Sequence, residues 1–380
     1  MKRIMARLLL AALGSSAACA QTVIDALETH GRMSWSEPVM IGFPPVFHVE
    51  WAPQAGGPWH RGFANQGTID ANGQTNWSVE IPRFFRVVRA TNAPPPGMVW
   101  IEGGDFLMGD TYGIHASATP VHTNWIDGFW MDGTEVTLAH WDEVRSWATN
   151  NGYGFSNAGT AKGPTHPVTE LNWFDAVKWC NARSQWEGRA PVYMVGLGVY
   201  QTGEFTNAWM NAAADGYRLP TEAEWEKAAR GGRRNKLFPW GENTISHSQA
   251  NYYSDWDGGT NVFYPYDVSP TSGSHPYTAE PEPRTLPVRS FAPNGYGLFD
   301  MSGNVLEWCW DWSAANYEPG NKTNPAGPVD GTSKILRGGG WRAGPVGQPN
   351  VRGLTVTARS SIGPAEENHT IGFRCVRQPD

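Results

Sequence analysis

The chain has 380 residues, of which 29 are basic and 36 acidic, and its formal net charge is −7. Glycine contributes 44 residues, proline 29 and tryptophan 20, whereas only 17% of the residues are charged. This composition excludes a coiled coil or helical bundle and favours a loop-rich globular protein with large aromatic side chains in its core. The mild acidic balance argues against nucleic acid as a partner.

The first twenty residues have the pattern of an export signal. Basic residues precede a short apolar run, and a small-residue cleavage pattern ends at Ala20. We therefore predict a signal peptide over residues 1–20 and a periplasmic, cell-surface or extracellular mature chain. A lipid anchor on Cys19 is the second-ranked alternative, because the residue three positions earlier is a serine rather than a leucine. No later segment is long and apolar enough to span a bilayer.

The next part of the chain predicts a small domain made of strands. Residues 21–90 contain short runs with period-two alternation, separated by glycine, proline and asparagine. This pattern favours a small β-sandwich-like module. Residues 91–97 read "TNAPPPG", and successive prolines are typical of a stiff linker. We place a second domain after it, over residues 98–378.

Three helices are predicted in the second domain. The first begins at an N-cap, Thr137, and ends near Gly152, while the second begins at Asn172. The third begins with a capping box formed by Thr221 and Glu224. Only loops and short strands are expected after residue 232, so this domain is predicted to be α+β with little regular structure.

A series of segments in the second domain carries a family resemblance. In chain order they are "MVWIEGGDFLMGD", "DGTEVT", "HPVTELNWFDAVKWC", "YRLPTEAEWEKAARGG", "LFPWGE", "PVRSFAPNGYGLFDMSGNVLEW", "RGGGW" and "IGFRC". Their content and order resemble the formylglycine-generating enzyme, or sulfatase-modifying factor, family over residues 97–378. The resemblance implies an irregular, loop-rich α+β fold related to C-type lectins.

The resemblance also implies a chemistry for the active members of the family. They are copper-dependent oxidases that convert a sulfatase cysteine to formylglycine, and two cysteines just after the glycine-rich turn hold the metal. Two thiolates suit the soft ion Cu(I). Here "RGGGW" places Ala343 at the first of these positions, and residues 344–354 contain no cysteine. We therefore expect neither copper nor a catalytic residue.

The other cysteines are expected to be structural. The resemblance pairs Cys180 with Cys375 in a disulfide, which an exported protein permits. Cys309 lies between two tryptophans and is expected to be a buried, unreactive thiol. One thiol alone cannot reproduce a site with two thiolates.

The segment "DMSGNVLEW" offers a candidate structural calcium site. The resemblance implies that the side chains of Asp300 and Glu307 and the carbonyl groups of Gly303 and Val305 bind the ion. Several oxygens around one point suit calcium. Asn251 matches one ligand of a second family site, whose other ligands are not evident. Without the resemblance, two acidic residues seven positions apart are typical of a solvated loop.

We therefore predict an exported, catalytically silent protein that binds another exported protein or a glycan. We place its ligand groove at four residues, Trp308, Trp341, Arg342 and Arg359. Tryptophans can stack on sugars, although we expect most of them to fill the core. The alternative is an enzyme, namely a formylglycine-generating oxidase or a related enzyme that modifies a sulfatase cysteine. A purely structural role in an assembly is a third possibility.

Overall fold

The protein forms two compact units, Met1–Ala93 and Pro94–Asp380. The computed structural model describes the backbone of seven strands in the first unit and four continuous stretches of the second, residues 95–255, 264–278, 282–342 and 351–379. The division between the units falls inside the predicted linker. The predicted signal peptide, residues 1–20, and Cys19 lie outside the described residues.

The described backbone of the first unit consists of two antiparallel sheets. One sheet has the strand order β1-β2-β6-β5 and the other β4-β3-β7. The strands are β1 (Val23–Leu27), β2 (Arg32–Ser36), β3 (Phe47–Ala52), β4 (His60–Arg61), β5 (Thr68–Ile69), β6 (Thr75–Ser78) and β7 (Phe84–Arg89).

The second unit combines short strands in four small sheets with three helices. The strands are β8 (Met98–Ile101), β9 (Gly104–Met108), β10 (His122–Ile126), β11 (Phe129–Asp132), β12 (Tyr193–Val195), β13 (Gly198–Val199), β14 (Trp209–Met210), β15 (Leu306–Trp312), β16 (Lys322–Thr323), β17 (Lys334–Arg337), β18 (Ser360–Ile362), β19 (Ile371–Gly372) and β20 (Val376–Arg377). The sheet orders are β16-β10-β9, β20-β11-β8, β13-β12-β14 and β18-β17-β15-β19. This arrangement confirms the predicted irregular α+β fold.

The three helices begin at the predicted caps. The side chains of Thr137 and Asn172 each accept a hydrogen bond from a backbone N–H in the first turn that follows. Thr221 and Glu224 bond reciprocally, side chain to backbone, which confirms the capping box. The helices are α1 (Leu138–Thr149), α2 (Trp173–Trp186) and α3 (Glu222–Ala229).

Large aromatic side chains fill the core of the second unit, as the composition predicts. Five tryptophans of the described stretches are fully buried, namely Trp141, Trp173, Trp179, Trp225 and Trp308. Several of their rings pack edge-on or stacked against neighbours, with the Trp141 and Trp179 centroids 6.0 Å apart.

The sheet that contains β15 brings the two candidate segments together. β15 pairs antiparallel with β17, and Glu307 at the start of β15 lies opposite Arg337 at the end of β17. The turn that leads into β15 and the glycine-rich turn that leaves β17 are therefore neighbours at one end of this sheet. We call them the acidic turn (residues 300–307) and the glycine-rich turn (residues 337–341).

Candidate functional site

The acidic turn is held against the rest of the site by backbone hydrogen bonds. The Gly303 N–H donates to the Gly338 carbonyl at 2.9 Å, which joins the acidic turn directly to the glycine-rich turn, and the Asn304 N–H donates to the Asn251 carbonyl at 2.8 Å. Gly303 has a φ of +83°, and a Cβ there would lie only 2.4 Å from the Asn251 carbonyl oxygen. Only glycine fits this position.

Glu307 is fully buried and engaged by protein donors. The Arg374 guanidinium donates to both of its carboxylate oxygens at 2.7 Å, in a bidentate ion pair. The Trp225 indole N–H donates to the same carboxylate at 2.8 Å. Glu307 is thus one half of a buried ion pair. Arg374, from the segment "IGFRC", is the partner that sequence reasoning missed.

Asp300 lies beside a second carboxyl group that the sequence did not single out, that of Glu135. Asp300 accepts a hydrogen bond from the Arg289 N–H at 2.8 Å, and burial raises the pKa of Asp300 to about 6. Glu135 is only 1% exposed, and one of its oxygens has no hydrogen-bond partner among the described residues. Burial, and next the charge of Asp300, raise the pKa of Glu135 well above its usual range.

The oxygen atoms at the acidic turn fit the ligand set of a calcium ion only in part. Glu307 would have to share its oxygens with Arg374, whereas Asp300 and the unpartnered oxygen of Glu135 are less engaged. The Asn251 side chain donates to the Asn304 side chain at 3.2 Å, so it joins this same turn. Within the stretches that the structure describes, no three or more His, Cys, Asp or Glu side chains form a group that could hold a metal. Calcium binding stays a prediction.

A cavity of about 180 Å³ lies beside the glycine-rich turn. Its polar lining consists of His115, Arg337, Arg352, Arg359 and Ser360, and the rest is leucine, alanine and glycine. No aspartate or glutamate of the described stretches is part of this lining. The charged residues of the described lining are therefore all arginines.

The glycine-rich turn shapes one wall of this cavity. Gly339 has a φ of +66°, and a Cβ there would lie 2.7 Å from the Gly353 carbonyl oxygen. A side chain would therefore strain the backbone and push the turn away from the segment that faces it. Glycine at this position keeps the two backbones in close approach.

Of the four residues predicted to border a ligand groove, only Arg359 lines the cavity. Trp308 and Trp341 are 0% and 2% exposed, which corrects the expectation that their faces meet a ligand. Trp308 lies on a strand whose two faces are both covered, and Trp341 stacks on the His369 ring. Arg342 is on the surface, where it forms an ion pair with Glu282 at 2.8 Å.

Two glutamates of α3 lie behind the cavity and hold its arginines. Arg359 donates to both oxygens of Glu222, at 2.6 and 2.9 Å. Arg337 donates to Glu226 at 2.6 Å, and Arg230 donates to the same glutamate at 2.6 Å. These bonds fix the guanidinium groups in place, which is what a preformed binding site requires.

His115 on the cavity wall is a neutral imidazole at neutral pH. Its Nε2 lies 2.9 Å from the Thr355 hydroxyl. Burial lowers the pKa of His115 to about 4; the Asp110 carboxylate opposes this shift, whereas Arg352 and Arg337 add to it. The cavity is therefore unfavourable for an additional positive charge.

Comparison with known proteins places this site in a family. Residues 84–379 match the model of the sulfatase-modifying factor enzyme 1-like domain. The chain belongs to this family. It is 32% identical over 306 residues to the formylglycine-generating enzyme of Streptomyces coelicolor, covering 75% of this chain and 90% of that protein.

Two other relatives of this family member carry different names. The chain is 32% identical over 256 residues to the chaperone protein LppX of Paenibacillus barcinonensis, covering 64% of this chain and 78% of that one. The structure of this chain resembles that of Treponema denticola variable protein 1, with a TM-score of 0.55 and 27% identity. The match covers 74% of this chain and 95% of the Treponema denticola protein. The same fold thus occurs under several names.

The cysteines of this family member are buried in the described stretches. The sulfur atoms of Cys180 and Cys375 lie 3.6 Å apart, in contact but not bonded, so the predicted disulfide stays a prediction. Cys309 is fully buried, as expected, and burial raises the pKa of its thiol well above the usual range. Residues 343–350, which include Ala343, lie outside the described residues.

In the part of the chain that the structure describes, no helix is long and apolar enough to cross a membrane.

Proposed function

We propose that this sulfatase-modifying factor family member is exported and catalytically silent, and that it binds a partner instead of oxidising a sulfatase cysteine. The observation that carries the proposal is the composition of the segment after the glycine-rich turn. Residues 342–354 contain neither cysteine, histidine nor methionine. These are the side chains that hold Cu(I) in proteins.

The remaining thiols are poorly placed to replace the missing pair. Cys180 and Cys375 are fully buried against each other, and Cys309 is fully buried on β15. The thiolate, not the thiol, is the metal ligand and nucleophile, and burial disfavours the thiolate. The burial of these thiols supports the proposal that the protein does not bind copper through two thiolates.

A binding role agrees with three features of the chain. The N-terminal residues have the pattern of an export signal. The glycine-rich turn borders a cavity whose charged lining residues include arginines. One relative is named as a chaperone, a class of protein that acts by binding other proteins. We propose an exported protein or a glycan as the partner.

Copper binding and product formation test this proposal together. The mature protein is titrated with Cu(I) against a competing chelator, and a cysteine-containing sulfatase peptide is examined by mass spectrometry for conversion to formylglycine. The Streptomyces coelicolor relative, named a formylglycine-generating enzyme, is the positive control. We expect neither stoichiometric copper nor product. Tight copper binding or aldehyde product would establish the alternative, a formylglycine-generating oxidase.

Thiol counting after denaturation is the companion measurement. If Cys180 and Cys375 form the predicted disulfide in the exported protein, the mature chain has one reactive thiol, that of Cys309. Three reactive thiols would disprove the disulfide.

We also propose that the acidic turn binds calcium as a structural ion. Asp300 and the carbonyl groups of Gly303 and Val305 would hold it, with Glu135 beside them and Glu307 sharing its charge with Arg374. The ion would offset the cost of burying these carboxylates and would further stabilise the folded turn.

A further inference from the structure

Two buried histidines, His247 and His275, lie in contact in a part of the second unit that the sites above do not use. They are 6% and 3% exposed, and their ring centroids are 5.2 Å apart. His247 belongs to the stretch 245–254 and His275 to the stretch 264–278, so this histidine pair joins two described stretches that contain neither a helix nor a strand. Histidine is the side chain whose charge changes most readily near neutral pH.

The hydrogen bonds of His275 require an uncharged ring. Its Nε2 lies 2.8 Å from the His247 carbonyl oxygen, which can only accept, and its Nδ1 lies 3.2 Å from the Tyr277 backbone nitrogen, which can only donate. The neutral tautomer with its proton on Nε2 makes both bonds at once. A second proton, on Nδ1, would face the Tyr277 N–H. The charged ring therefore cannot keep both bonds.

The rings packed against His275 carry no negative charge. The centroids of Tyr277 and Phe291 lie 5.3 and 5.6 Å from that of His275, and the third ring is the imidazole of His247. Burial accordingly lowers the pKa of His275, and the bond to the His247 carbonyl opposes this shift. The closed arrangement thus disfavours a proton on this ring.

His247 is in a similar position, although one carboxylate acts on it. Its Nε2–H donates to the Tyr252 carbonyl at 3.1 Å, whereas its Nδ1 has no hydrogen-bond partner among the described residues. Burial, and next the proximity of His275, lower the pKa of His247, while backbone groups and the Asp267 carboxylate oppose the shift. This carboxylate already accepts hydrogen bonds from the hydroxyl groups of Tyr252 and Ser254, at 2.7 and 2.8 Å.

The end of the stretch 264–278 depends on His275 for its attachment. Gly273 and Ser254 exchange two backbone hydrogen bonds, each 2.8 Å long. Beyond Gly273, and counting only residues that the structure describes, the bond from His275 to the His247 carbonyl is the one hydrogen bond that reaches the stretch 245–254. Loss of this bond would leave residues 274–278 without a polar attachment to that stretch.

We propose that the histidine pair is an acid-sensitive switch that holds residues 274–278 at neutral pH and releases them in mild acid. In the closed form the rings are uncharged, whereas in the open form water can accept a bond from a protonated ring. The open form therefore binds more protons, and the stability of the closed form is complete above pH 6.5 and is lost as the pH falls. Release also frees Tyr277, which is 85% exposed. The switch acts with or without a partner, so it is independent of the proposed function.

Hydrogen–deuterium exchange of the full mature chain at pH 7 and pH 5, followed by mass spectrometry, tests the switch. Rates are first corrected for the intrinsic effect of pH on amide exchange. Because a free imidazole has a pKa of about 6.5, each histidine can favour opening by at most about 25-fold more at pH 5 than at pH 7. We expect residues 273–278 to lose protection about tenfold or more, while α2 keeps its protection and so shows that the chain stays folded.

Two variants and a matched control assign the effect to the pair. A glutamine side chain has an N–H donor and an acceptor oxygen but does not titrate in this range, so it can replace a neutral imidazole. His275→Gln should lose less protection at pH 5 than the wild type, and the double variant with His247→Gln should lose none. His122→Gln, on β10 and packed against Tyr317, should lose as much as the wild type.

Two exchange results would overturn the proposal. One is equal protection of residues 273–278 at pH 7 and pH 5 in the wild type. The other is a loss in the double variant as large as in the wild type, which would assign the pH effect to another group, such as Asp267. If the variants do not fold, NMR titration of the wild-type His275 ring decides the question. Its protonation should rise as the protection of residues 273–278 falls, and a ring that became charged while these residues stayed protected would refute the switch.

Discussion

The acidic turn and the glycine-rich turn lie side by side, joined by the bond from the Gly303 N–H to the Gly338 carbonyl, yet their charged groups differ in availability. In the acidic turn, Glu307 is neutralised by an arginine 67 residues further along the chain. Beside the glycine-rich turn, the arginines keep an open space in front of them. Arg337 and Arg359 are themselves paired, with Glu226 and Glu222, so the two turns differ in the space beside their charged groups and not in whether those groups have partners.

Breaking the buried pair of the acidic turn should have the largest effect. Arg374→Met would leave Glu307 as an uncompensated buried carboxylate and should lower the free energy of unfolding by about 3–5 kcal/mol. Urea denaturation followed by tryptophan fluorescence measures this loss. Arg342→Met is the matched control, because its ion pair with Glu282 is exposed and should be worth at most about 1 kcal/mol. Equal losses in the two variants would contradict the special role of the buried pair.

The helices of this protein could be predicted because their signals are local. A capping side chain and its N–H partner lie within three residues, as in the box of Thr221 and Glu224. Strand β15 gives no such signal, because almost every residue in it is buried and the alternation that marks a half-exposed strand is absent. For this reason the sequence alone does not reveal that Trp308 is fully buried.

The candidate site could be predicted only where its residues are close in sequence. Asp300, Gly303 and Glu307 fall in one segment, so their pattern is visible. Arg374 and Glu135 reach the same turn from the two ends of the second unit, and only the fold places them there. The cavity is a similar case, because His115 comes from a loop more than two hundred residues before Arg337. No spacing rule connects such positions.

Calcium removal should have the next largest effect on stability, and it tests whether the acidic turn binds an ion. If the ion binds only the folded protein, at 100 times its dissociation constant it adds about 2.7 kcal/mol to the free energy of unfolding. Chelation should therefore lower the melting temperature, and added calcium should restore it. A melt that is the same with and without chelator would remove the calcium proposal.

A pair of variants assigns any calcium effect to the acidic turn. Asp300→Asn removes one proposed ligand and should abolish the response to chelator. Asp330→Asn removes a carboxylate of the same charge at an exposed position, and this variant should retain the response to chelator. A response that survives in Asp300→Asn would place the ion elsewhere.

The smallest expected effect is the contribution of His115, on the cavity wall, to the pH dependence of stability. Its pKa falls from 6.5 to about 4 on folding, so the unfolded chain binds more protons than the folded one between these pH values. The stability that His115 contributes is therefore complete above pH 6.5 and is lost as the pH falls towards 4. The upper limit is about 3 kcal/mol, and about 1–2 kcal/mol is expected because the imidazole is only partly buried.

Because many carboxylates titrate over the same range, the His115 contribution is the difference between the wild type and His115→Gln, which lacks a titrating ring. The free energies of unfolding of the two proteins should diverge with pH, the wild type losing more between pH 6.5 and 4.5. If the free energies of unfolding of the two proteins changed with pH in parallel, the lowered pKa of His115 would be refuted.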